Sequence, residues 1–106
     1  MAKYLVTGSY TTEGLKGLLK EGGSGRRKAV EEAVKSMGGH LEAYYFAFGD
    51  NDVITIVNVP DHVTAAALAI GISSTGTVGT KTTVLLTPEE IDQATKKTLS
   101  FRPAGR

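Results

Sequence analysis

Residues 40–59 read HLEAYYFAFGDNDVITIVNV, and they constrain the fold more than any other stretch of this chain. Two runs of apolar, aromatic and β-branched residues flank Gly49-Asp50-Asn51-Asp52, whose residue types suit a tight turn. The pattern predicts an antiparallel hairpin. Strict alternation on the first run puts Leu41, Ala43, Tyr45 and Ala47 on one side. Tyr44, Phe46 and Phe48 fall on the other, with Glu42. Both sides are largely apolar, so both faces of this strand are expected to be covered.

The flanking segments complete the order. Lys3 to Tyr10 is a strand, apolar enough to be central. Thr11 or Thr12 offers a side-chain oxygen to the free amides of a following helix. That helix is weak over residues 12–20, because Gly14 and Gly17 each cost about 1 kcal/mol relative to alanine. Residues 21–25 (EGGSG) interrupt it, and Arg26 to Met37 resumes with Ala29, Val30, Ala33, Val34 and Met37 at helical spacing. Gly38-Gly39 ends it. After the hairpin, Asp61 caps a helix from His62 to about Ile72 that is apolar nearly all round, and so should pack on more than one side. Thr77 to Leu86 is a threonine-rich fourth strand. Thr87-Pro88-Glu89-Glu90 carries both halves of a capping box and a first-position proline, which starts a short helix to about Lys97. Residues 98–106 form an irregular arm after a domain spanning 1–97.

This order, βαββαβ plus a C-terminal helix, predicts a ferredoxin-like α+β fold: a four-stranded antiparallel sheet with helices on one face. The second sheet face then needs a cover. An identical sheet from another copy supplies one, giving a homodimeric α/β barrel or a larger homo-oligomer built from it.

Composition narrows the function classes. The net charge is +1, which gives no reason to expect a nucleic-acid or membrane partner. With no cysteine, thiolate nucleophiles, disulfides, iron–sulfur clusters and cysteine zinc sites are excluded. No apolar run is long enough to span a bilayer and no secretory leader is visible, so a cytoplasmic protein without a cofactor is the expectation.

Several residues taken in order resemble the GYD family of small bacterial proteins. They are Lys3-Tyr4-Leu5-Val6, Tyr10 to Gly14, Arg27, Gly38-Gly39, Tyr45, Gly49, Asp52, Pro60, Gly76 and Thr87 to Glu90. The resemblance runs from about Lys3 to Thr95. It implies the ferredoxin-like dimeric barrel and brings no known reaction. Asn51 stands where the resemblance leads one to expect tyrosine, and Asn58 where an acid is common.

Candidate chemistry is sparse. His40 and His62 are the only histidines, suited to proton exchange near neutral pH. Tyr45 is favoured, through the resemblance, as the tyrosine with a polar task. Tyr45, Phe46, Phe48 and Asn58 are the expected ligand-binding set, and Gly49 to Asp52 form the turn motif. No histidine spacing suits a metal. The glycine-rich GGSGRRK segment lacks the full pattern of a phosphate loop. Two readings stay open: a homodimeric small-ligand-binding or accessory protein, and a cofactor-independent isomerase, cyclase or monooxygenase using His62 or His40 with Tyr45.

Overall fold

A computed structural model describes residues 1–106. The elements run β1 (Ala2–Tyr10), α1 (Thr12–Ser36), β2 (His40–Phe46), β3 (Val53–Val59), α2 (His62–Ser73), β4 (Val78–Leu85) and α3 (Pro88–Thr95). The sheet order is β2-β3-β1-β4, every neighbouring pair antiparallel, with β1 central as expected. This is a ferredoxin-like α+β fold.

Local chemistry sets the boundaries. Thr11, Asp61 and Thr87 each accept a backbone N–H of the following first turn, from Gly14, Thr64 and Glu90 respectively. Glu90 returns a bond from the Thr87 N–H at 2.9 Å, closing the capping box. The break expected over residues 21–25 of α1 shrinks to one residue. Only Gly22 leaves helical angles, at φ 80° and ψ 168°, a region open essentially to glycine alone.

The face towards the helices carries Tyr4 and Val6 from β1, Val53, Thr55, Val57 and Val59 from β3, and Val78 from β4. Val34 of α1, Ala65 of α2 and Leu41 of β2 close a core around them. Two expectations need correction. A bulge between Leu41 and Ala43 breaks the alternation, so Leu41 joins Tyr44 on the helix side, while Glu42 turns to Lys3 and Asn58 on the other. In addition, α2 packs chiefly on β4, and its far side, with Val63 and Ile70, remains exposed.

Candidate ligand-binding cleft

The helices and sheet do not close completely. Between α1, α2 and the sheet lies a narrow cavity of about 50 Å³ lined by Val6, Val30, Tyr44, Thr55, Ile72 and Thr80, with Tyr10 and Arg26 also contributing. A second void of about 30 Å³ deeper in the layer shares Val6, Val30, Thr55, Ile72 and Thr80 with it. Each is water-sized, since one water occupies about 30 Å³ of liquid.

The polar groups of the cleft come from three elements. Tyr10 ends β1 on the helix side, the Gly22 kink starts the second half of α1 just before Arg26, and Tyr44 follows the β2 bulge. Burial pushes the Tyr44 phenol well above its ordinary range, Tyr10 reinforces the shift, and Arg26 partly opposes it. Tyr44 is therefore a neutral hydrogen-bond donor at physiological pH. Its ring meets Phe46 edge-on, with centroids 5.4 Å apart. Burial disfavours the charged Arg26 guanidinium, but Glu21, which accepts from Arg26 Nη1 at 3.1 Å, more than offsets that cost with help from Tyr10. Thr55 is buried and donates to the Val6 carbonyl at 2.8 Å. No buried side-chain nitrogen or oxygen lacks a partner.

Two grooves reach the surface from this region. An apolar one of about 400 Å³ runs between the start of α1 and the hairpin end of β2, lined by Tyr10, Leu15, Leu18, Gly23, Phe46, Ala47, Phe48 and Asp52. A polar one of about 620 Å³ follows the α1–β2 edge past Ser24, Arg27, Lys28, Glu31, Tyr44 and Tyr45.

The residues singled out from sequence are distributed rather than gathered. Tyr45 points to the open sheet face and is 69% exposed. His40 starts the same strand, about 17 Å away at the usual strand rise. His62 lies exposed in the first turn of α2. Phe46 and Phe48 share the apolar groove, whereas Asn58 donates to Glu42 at 3.1 Å near the other end of the sheet. Within one copy, Tyr45 does not meet His40. No three His, Asp or Glu side chains cluster closely enough to hold a metal ion. Tyr10 and Arg26 escaped the sequence reading because only the tertiary fold brings them to Tyr44.

The turn motif has a structural task. Asp52 Oδ2 accepts the Tyr10 N–H at 2.8 Å, and the Asp52 N–H donates to Gly8 at 2.8 Å, so the hairpin tip is tied to the β1–α1 junction. Gly49 has no positive φ and open space around it. Asp52→Ala is therefore expected to cost about 1–2 kcal/mol by stranding a partly buried amide, and Gly49→Ala less than about 0.5 kcal/mol. Urea unfolding of the two variants measures the difference.

The GYD domain model matches residues 4–95 of the 106. The chain belongs to the GYD domain family. No curated protein and no solved structure matches it. In this GYD protein the turn aspartate, Asp52, is a brace between strands. The tyrosines nearest the cleft are Tyr10 and Tyr44. No helix is long and apolar enough to cross a membrane.

Proposed function

We infer that this GYD protein is a homodimer that binds a small organic molecule, its copies paired through the open faces of their sheets. One observation carries the pairing: the sheet face turned away from the helices has no cover in a single copy and leaves apolar side chains at the surface, with Tyr45 69% and Ile54 36% exposed. The open face offers Leu5, Ala43, Tyr45, Ile54 and Ile56, bordered by the Lys3–Glu42–Asn58 cluster. Leu5 and Ala43 both register with Ile56, which makes a continuous apolar centre.

The ligand reading rests on the cleft. Its apolar walls, with a neutral phenol and a guanidinium at one end, suit a small aromatic or alicyclic molecule bearing an acceptor oxygen. Binding would require Tyr44 and Phe46 to swing aside, because the cavity itself is only about 50 Å³. The alternative, a cofactor-independent enzyme, would draw its proton carrier from His40 or His62 of the second copy. A cytoplasmic role remains part of this proposal.

Native mass spectrometry of the freshly purified protein tests both halves. The expected result is a dimer with a reproducible added mass that Tyr44→Phe and Arg26→Ala reduce at least tenfold in occupancy. A dimer with no added mass before or after incubation with aromatic carboxylates and phenols would overturn the ligand reading.

A further inference from the structure

The C-terminal region makes no substantial contact with the rest of its own chain. α3 buries no residue, and Leu99 and Phe101 beyond it are 80% and 73% exposed. The consequence shows in the dimensions. The radius of gyration is 17.0 Å and the longest extent 58 Å, whereas a compact chain of this length has a radius of gyration of about 13 Å.

Strand register says where this segment starts. Lys3 pairs with Leu85, so the chain leaves β4 at the end where β1 begins. The hairpin tip and the apolar groove lie at the other end, because Phe46 pairs with Val53 and Asp52 bonds Tyr10. From Lys3 to Tyr10 is about 23 Å along the strand. If the two sheets pair with their strands running in opposite senses, the C-terminal end of one sheet sits over the hairpin end of the other. Residues 98–106, when extended, span about 30 Å, enough to pass around the sheet edge.

We propose that residues 98–106 of one copy dock in the apolar groove of the second copy and close the mouth of its cleft, an inference that rests on the homodimer reading. Leu99 and Phe101 are the anchors. The groove presents Leu15, Leu18, Phe46 and Phe48, the last fully exposed in the single chain. Charge agrees with the fit: Arg102 and Arg106 on the arm meet Asp50 and Asp52 at the hairpin tip. Since Tyr10 lines both the groove and the inner cavity, the docked arm would complete the wall of the partner's site.

The absence of native cysteine makes a direct test simple. Phe48→Cys and Phe101→Cys chains carrying different tags are co-expressed and oxidised, and the mixed disulfide is measured on a non-reducing gel. Ile70→Cys, on the exposed side of α2, replaces Phe48→Cys in the control. The proposal expects at least tenfold more mixed disulfide with Phe48→Cys than with the control. Equal yields from a chain that native mass spectrometry shows to be dimeric would overturn the arm docking alone. A chain that is monomeric would overturn the homodimer reading and the docking with it.

Discussion

Gly14→Ala is expected to lower the unfolding free energy by roughly 3 kcal/mol, a large share of the reserve of a small domain. A Cβ at this position would lie 1.9 Å from the Thr77 carbonyl oxygen and 2.9 Å from the Tyr10 ring. The obstacle is backbone, so rotating a side chain cannot relieve it. The first turn of α1 would have to lift away from the start of β4. That movement would pull on the Thr11 N–H bond to Thr77 at 3.0 Å and on the Thr11 hydroxyl bond to Gly76 at 2.9 Å. Gly17, one turn on, has nothing within 4 Å. Gly17→Ala is expected to raise stability by about 0.5–1 kcal/mol through helix propensity alone. Urea titrations of the pair separate close packing from propensity: if both variants move stability in the same direction, the packing account of Gly14 fails.

Ile56→Lys is expected to abolish the dimer and leave the fold of each copy intact. Ile56 lies at the centre of the open sheet face, registered with Leu5 on one side and Ala43 on the other. In a single copy the lysine reaches solvent, so far-UV circular dichroism should be unchanged. Between paired sheets the ammonium would be buried without a partner, which costs about 3–5 kcal/mol. That corresponds to a loss of more than a hundredfold in dimer affinity. Size-exclusion chromatography with light scattering is expected to show the variant as a folded monomer. A variant that remains a dimer at micromolar concentration would place the interface elsewhere.

Much of the architecture was legible because its signals are local. A capping threonine followed by Pro-Glu-Glu, an aspartate before an alanine-rich run, and aromatic strands around a Gly-Asp turn each act within a few residues. The family likeness was legible for the same reason, since its residues keep their order along the chain. What escaped depends on contacts between distant segments. The bulge after Leu41 came from pairing with β3, and it moved Leu41 from the side that strict alternation assigns. Gly14 looked like a weak point in a helix until the nearness of Thr77 gave it a reason. Arg26 read as the first residue of the resumed helix, and only the kink at Gly22 and the packing of α1 on the sheet bring it to Tyr10 and Tyr44. Likewise, the apolar circumference of α2 predicted burial on several sides, but one chain covers only one of them.

Sedimentation equilibrium of the purified chain at several concentrations reads the pairing of the two sheets. One dominant species at twice the 11.1 kDa chain mass is expected, persisting at low micromolar concentration. A single species at the chain mass across that range would contradict the pairing.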